Sequence, residues 1–307
     1  MNTTSRLRIG FIGIGLMGHG MARNLVTKGF PLTVRAHRNR APLDDLVASG
    51  AVEVSTNADV ARASDVVILC VTGAPQVEEI VLGKDGIASV ARPGLVVVDT
   101  STSEPSMTAR LRDVLALSGV RFVDAPLSRT PVEAAAGRLN IMVGADDATF
   151  AELRPVFERF CENIIHAGPP GHGHALKLMN NFIAQAICTA TAEACAAAAK
   201  SGVSLQKLYD VVSAGGANSP LFRSMLGPML ENGGDLAGVK FELDNARKDM
   251  RYYTHFAESL PVCAIVGEAV HQSLVNASLQ GFGAKYVASL IEAQEKLSNV
   301  AIVPRAR

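Results

Sequence analysis

A doubly wound α/β half followed by an all-α half is the fold this sequence predicts, and three observations predict it. Short apolar runs alternate with helix-like stretches from Leu7 to His166, the pattern of strands joined by helical crossovers. Glycines spaced G-x-G-x-x-G, in Gly13-Ile14-Gly15-Leu16-Met17-Gly18, fall between the first strand and the first helix. Strand patterns then vanish at Ala175, where a run free of Gly and Pro begins and lasts to Ser201. Such a run, rich in Ala and Leu, reads as one long helix. With 307 residues the chain can bury two cores, and the boundary is expected in the Gly/Pro stretch at Gly168–Gly171, giving domains 1–168 and 169–307 joined by the long helix.

Composition narrows the partners. Lys+Arg and Asp+Glu are equal at 29 each, so no basic excess points to nucleic acid. The five cysteines (Cys70, Cys161, Cys188, Cys195, Cys263) show no CxxC or Cys/His metal spacing and read as buried, reduced thiols. No metal is expected. Leu7 to Met17 is broken by Arg8 and glycines, unlike a signal peptide, and a cytoplasmic protein is expected. Lys177, Glu193 and Lys200 interrupt the long helix, so no membrane span is expected.

The first strand is Leu7–Ile12, and the helix after the glycines ends at Gly29. In this strand–turn–helix setting Gly13 and Gly15 allow a tight turn and close approach of a pyrophosphate, and Gly18 lets helix and strand pack. The first half is therefore read as a Rossmann domain binding a nicotinamide dinucleotide through Gly13, Ile14, Gly15, Leu16, Met17 and Gly18. The second strand, Pro31–Val34, runs into Arg35-Ala36-His37-Arg38-Asn39-Arg40, where an NAD site usually has an acid for the ribose hydroxyls. Arg35, His37 and Arg38 instead suit a 2′-phosphate, which favours NADP over NAD. Val52–Val54 is a short strand and Ala58–Ala63 a helical turn. Val66–Val71 is a buried strand, and Thr72 to Gln76 leaves its carboxyl end, where ligands of open α/β sheets bind. Leu95–Val98 is followed by Asp99-Thr100-Ser101-Thr102, hydroxyls suited to a ribose or nicotinamide, with Ser103 as the expected cap of the next helix. Arg121–Val123, Asn140–Val143 and Ile164–His166 complete the sheet, with a small helix at Pro131–Gly137. The loop Asp124 to Pro131 offers Ser128, Arg129 and Thr130 in succession, a set able to bind an oxyanion.

Beyond the long helix, Leu205–Ser213, Leu221–Leu230 (broken at Gly227-Pro228), Leu243–Glu258, Val262–Leu279 and Ala284–Leu297 read as helices. At the start of the long helix, Lys177 and Asn181 are four apart and face the same way. A lysine and an amide so placed suit proton transfer at an oxygen. Read alone, they equally fit a solvated lysine beside helix-start asparagines.

Taken together, these stretches resemble the β-hydroxyacid dehydrogenase family along essentially the whole chain. FIGIGLMGHGMARNL is similar to its cofactor motif, DAPLS with AAAGRLNIMVG to its substrate motif, Gly171-x-Gly173-x-x-x-Lys177-x-x-Asn180-Asn181 to its catalytic motif, and Lys248-Asp249 to its C-terminal cofactor motif. The resemblance implies hydride transfer between NAD(P) and a small hydroxy acid or its semialdehyde, of the 3-hydroxyisobutyrate or 2-hydroxy-3-oxopropionate type. Lys177 would be the acid/base, with Asn181, Asn180 and Ser128 at the substrate. Val71, Thr72, Thr102 and Lys248 would contact the cofactor. It also implies a homodimer or homotetramer.

One position departs from the family. Ser-Gly-Gly is usual where this chain has Ser128-Arg129-Thr130. The Arg-Thr pair is similar to that of the sulfolactaldehyde reductase branch, so an anionic substrate end, carboxylate or sulfonate, is expected at Arg129. Two competing readings keep the fold without this chemistry: a dinucleotide-binding interaction protein, and an imine reductase. The first would lack the lysine and the second would replace it with Asp or Tyr, so Lys177 disfavours both.

Overall fold

The computed structural model describes residues 7–35 and 39–304. His37 and Arg38 lie outside the described residues. The chain divides into two compact units, Met1–Lys177 and Leu178–Arg307.

The first unit alternates strands and helices: β1 (Ile9–Ile12), α1 (Leu16–Thr27), β2 (Leu32–Val34), α2 (Ala41–Ala48), β3 (Val52–Glu53), α3 (Asn57–Ala63), β4 (Val66–Leu69), α4 (Ala74–Leu82), β5 (Val96–Asp99), α5 (Pro105–Ala116), β6 (Arg121–Asp124), β7 (Leu127–Ser128), α6 (Pro131–Ala136), β8 (Leu139–Gly144), α7 (Asp147–Phe157) and β9 (Cys161–Gly168). The strands form one sheet in the order β3-β2-β1-β4-β5-β6-β8-β7, with β9 also on β8. The first six are parallel in the 3-2-1-4-5-6 order of dinucleotide-binding domains, whose switch point lies between β1 and β4. β8 enters antiparallel to β6, with Asp124 opposite Gly144.

The strands read as unbroken apolar runs because both faces are covered. Ile9, Phe11, Ile68, Val96 and Val98 join one core cluster, while their neighbours Ile12, Val67, Leu69 and Val97 join the other. Successive side chains point to opposite faces of a strand, so one sequence supplies both layers.

α8 (His172–Ser201) begins in the first unit and continues into the second, which adds α9 (Leu205–Ala214), α10 (Pro220–Glu231), α11 (Leu243–Ser259), α12 (Ile265–Ala277) and α13 (Leu290–Ser298). Cys188, Ala192 and Cys195 of α8 pack with Phe222, Met250, Leu274 and Ile291 in the core of this unit. α8 is long and apolar enough to cross a membrane by length and composition, contrary to the sequence expectation, yet 44% of its most apolar window is buried within the protein.

Three local expectations are corrected. α10 is not broken at Gly227-Pro228. Pro228 cannot bond the carbonyl of Ser224 four residues back, and that carbonyl lies so close to Gly238 that a Cβ there would sit 1.9 Å from it. Ser103 does not cap α5: Glu104 holds the N-cap position, Pro105 opens the helix, and the buried Ser103 Oγ has no hydrogen-bond partner among the described residues. Cys263 is exposed, because it lies in the turn before α12 rather than on a packed face.

Candidate active site

The glycines after β1 divide their work. Gly13 has φ +101°, and a Cβ there would lie 2.2 Å from the Cys70 carbonyl oxygen. A Cβ on Gly18 would lie 1.9 Å from the Gly13 oxygen, so this residue permits the turn and the helix to touch. Gly15 caps α1 and faces open space. The first turn of α1 carries no acid, and no side chain caps it. Its free N–H groups and positive dipole end therefore suit a pyrophosphate. Leu16 is exposed and Met17 half-buried beside them.

Other expected cofactor residues line the carboxyl ends of the same strands. Arg35 follows β2 and donates from Nε to the Ser55 carbonyl (3.1 Å) and from Nη1 to Asn57 Oδ1 (2.8 Å). Thr100 donates to the Leu69 carbonyl (2.6 Å), and Val71 N–H donates to Ser101 Oγ (3.0 Å). These bonds stitch the loops after β4 and β5 together. Thr72 and Gln76 are exposed at that edge, and Thr102 is half-buried.

The substrate loop contains a strand that was expected as loop: Leu127 and Ser128 pair antiparallel with Ile141 and Asn140 of β8. Asn163 donates to Asn140 Oδ1 (2.9 Å), and Asn140 donates to Ser128 Oγ (3.2 Å). Ser128, as acceptor here, keeps its own proton for a ligand. Arg129 has φ +85°, in the region that favours glycine. Its Nη1 donates to the Arg138 carbonyl (2.5 Å) and to the Glu162 carboxylate. Thr130 caps α6: its N–H and hydroxyl both donate to Glu133 (3.0 and 2.6 Å). Those two bonds, the hydroxyl first, hold the Glu133 carboxyl below the usual range. With its hydroxyl committed to the cap, Thr130 shapes the loop more than it offers a donor.

The start of α8 is fixed by groups that sequence reasoning missed. Asp124, fully buried at the end of β6, accepts from Gly171 N–H (2.6 Å) and His174 N–H (2.8 Å). Gly171 has φ +98°, and a Cβ on Gly173 would lie 2.5 Å from the Met142 oxygen and 2.7 Å from that of Asp124. His174 is fully buried, with Nε2 3.2 Å from the Ser101 carbonyl and Nδ1 2.6 Å from Thr108 Oγ1. A carbonyl only accepts, so Nε2 carries a proton, while Thr108 Oγ1, the partner at Nδ1, also lies 3.3 Å from the Glu104 carbonyl. Asp99 Oδ2 lies 3.7 Å from His174 Nε2. Burial pushes the Asp99 carboxyl above the usual range, and His174 pulls it back. The one sequence signal for this cluster was the second histidine of Gly171-His172-Gly173-His174.

Lys177 follows one turn after His174 and is 9% exposed. One turn further along α8, in the second unit, Asn181 is buried and donates to Asp249 Oδ2 (2.7 Å). Asn180, which is exposed, donates to Asn181 Oδ1 (3.1 Å). Asn181 is thus held at both ends, with one amide hydrogen left over. Lys248 lies beside the same carboxylate, Nζ to Asp249 Oδ1 at 3.1 Å. Asp249 was legible in the sequence only as the neighbour of Lys248.

Comparison with known proteins decides the family. Residues 8–168 match the model described as the NAD binding domain of 6-phosphogluconate dehydrogenase. Residues 171–293 match the NAD-binding model of NADP-dependent 3-hydroxyisobutyrate dehydrogenase. The chain is 31% identical over 297 residues to 2-(hydroxymethyl)glutarate dehydrogenase of Eubacterium barkeri, covering 96% of this chain and 97% of that one. It is 32% identical over 294 residues to 2-hydroxy-3-oxopropionate reductase of Escherichia coli, covering 95% and 99%. The chain belongs to the β-hydroxyacid dehydrogenase family. A solved 3-hydroxyisobutyrate dehydrogenase of Mycobacterium tuberculosis, bearing L-serine, has a TM-score of 0.83 at 25% identity, covering 94% of this chain and 98% of that one. This β-hydroxyacid dehydrogenase is therefore an NAD(P)-dependent oxidoreductase. Its nicotinamide dinucleotide fits the open, uncapped start of α1 at Gly15.

Proposed function

We propose that the enzyme interconverts a small 3-hydroxy acid and its semialdehyde, with Lys177 as general acid/base and NADP as the preferred cofactor. The observation that carries this reading is the buried placement of Lys177 between two anchored turns of α8, with Asn181 held by Asp249 one turn on. A bound nicotinamide supplies or takes the hydride at the carbinol carbon. As a carbonyl is reduced, negative charge grows on its oxygen, and the Lys177 ammonium donates a proton there. In the reverse direction the free amine takes the hydroxyl proton. The remaining amide hydrogen of Asn181 and the Ser128 hydroxyl orient the substrate oxygens.

Two relatives support the substrate class. A 2-(hydroxymethyl)glutarate and a 2-hydroxy-3-oxopropionate each place the reacting carbon β to a carboxylate. Arg129 would meet the acid end, because its Nε and Nη2 carry no hydrogen bond among the described residues. That guanidinium also supports a second reading, a sulfonate in place of the carboxylate, since Arg serves tetrahedral anions as well. NADP is favoured because no acid follows β2 and Arg35 does, with His37 and Arg38 next in the chain. The apolar side chains exposed on the second unit, among them Ile183, Ile265, Val266 and Leu279, support a homodimer or homotetramer.

The test is one panel: oxidation of NADPH and of NADH followed with short aldehydes ending in carboxylate, sulfonate or methyl. The highest kcat/KM is expected with NADPH and a carboxylate-ended aldehyde. Equal turnover of the methyl-ended aldehyde would remove the acid-end reading, and preference for NADH would remove the NADP assignment.

A further inference from the structure

Asp124 joins two parts of the site that are distant in sequence. Its carboxylate is fully buried at the carboxyl end of β6, and each oxygen accepts one backbone N–H from the start of α8, Gly171 at 2.6 Å and His174 at 2.8 Å. Its main chain continues through Ala125-Pro126-Leu127 into Ser128. Gly144 and Gly173 leave room for this: a Cβ on Gly144 would lie 2.4 Å from Asp124 Oδ1, and one on Gly173 would lie 2.9 Å from Oδ2. A carboxylate at a helix start is favoured by the dipole and by charge-assisted bonds. An ordinary cap is local in sequence. This one comes from a different strand and fixes both the height and the rotation of the helix that carries Lys177.

We propose that Asp124 is a positioning residue for the reaction: it sets Lys177 in register with Ser128. Asp124 touches neither substrate nor cofactor, and acts through the two backbone bonds it accepts. The inference rests on the proposed role of Lys177. Misplacing a reacting group by about 1 Å can cost on the order of 10²-fold in rate. Loss of one of the two bonds should therefore lower kcat and leave the KM for the dinucleotide unchanged.

The experiment is a double-mutant cycle on the full-length enzyme with Asp124→Asn and Lys177→Ala. Asp124→Asn keeps size and shape but turns an N–H₂ group toward one of the two donors. Gly173→Ala is the second variant. It pushes α8 away from Asp124 while the carboxylate stays intact, and it serves if Asp124→Asn does not fold. Each variant alone should reduce kcat by about ten-fold or more, in line with a misplaced proton donor. Added to Lys177→Ala, neither should reduce kcat further, because the group it positions is gone. Losses that multiply in the double variants would overturn the inference, since Asp124 would then act on general integrity. Unchanged kcat in both single variants would overturn it as well. An unimpaired Lys177→Ala enzyme would overturn both this inference and the proposed function, whereas multiplying losses would leave the function standing.

Discussion

Arg129 holds a backbone conformation that its side chain does not favour, with φ +85°. Such a conformation costs on the order of 1–3 kcal/mol in a non-glycine residue. A glycine would adopt this φ without strain, whereas the arginine holds it at a cost. Its pairing with Glu162 joins two side chains that are 32% and 48% exposed. Such a pair is worth about 0–1 kcal/mol, too little to explain the residue by stability alone. Arg129→Gly should therefore leave the thermal midpoint unchanged or raised, while KM for an acid-ended aldehyde increases. Thermal unfolding and steady-state kinetics on one preparation check both. A lowered midpoint with unaltered KM would assign Arg129 to structure. Residues of this kind were legible when their partners were local. The spacing of Lys177 and Asn181 placed both on one helix face. Asp124, His174 and Asp249 were not legible in their roles, because each meets its partners across 47 residues or more.

At the scale of elements, α6 gives a prediction with a definite sign. Thr130 and Glu133 form a reciprocal cap at its start. The folded Glu133 carboxyl titrates below its usual range, because the Thr130 hydroxyl and N–H bond the ionised form. A depressed folded value means that the stabilisation is present above the unfolded carboxylate value of about 4.3 and is lost as pH falls through the folded one. The midpoint difference between wild type and Glu133→Gln should thus be present at neutral pH and vanish in acid. Thermal unfolding across the acid range checks this, and a difference that persists in strong acid would contradict it. Most elements were legible from apolar runs and Gly/Pro punctuation. The exceptions have different causes. β7 is a strand because β8 lies beside it, a tertiary partner. α10 continues through Pro228 with the Ser224 carbonyl packed against Gly238, and α5 starts at Pro105 because proline suits the first helical position, a local signal.

For the whole molecule, the alternation of strands and helices and the glycine turn foretold a doubly wound first half, and the sheet has that order. The antiparallel entry of β8 and its pairing with both β7 and β9 were not foretold. Pairing partners are chosen by packing between distant segments, which periodicity does not encode. The change to helices at the long run beginning near Ala175 was legible because Gly and Pro cease there. α8 nevertheless begins earlier, at His172, where Asp124 receives its first N–H groups. α8 thus runs from the turn anchored by Asp124 into the second unit, and the chain division falls just after Lys177.

The most direct measurement is the turnover of Lys177→Ala in reduction of an acid-ended aldehyde, with dinucleotide affinity measured on the same enzyme. General acid/base assistance accounts for roughly 10²–10⁴-fold in rate, so kcat should fall by that factor while the dinucleotide binds as before. A kcat within a few-fold of wild type would contradict the account.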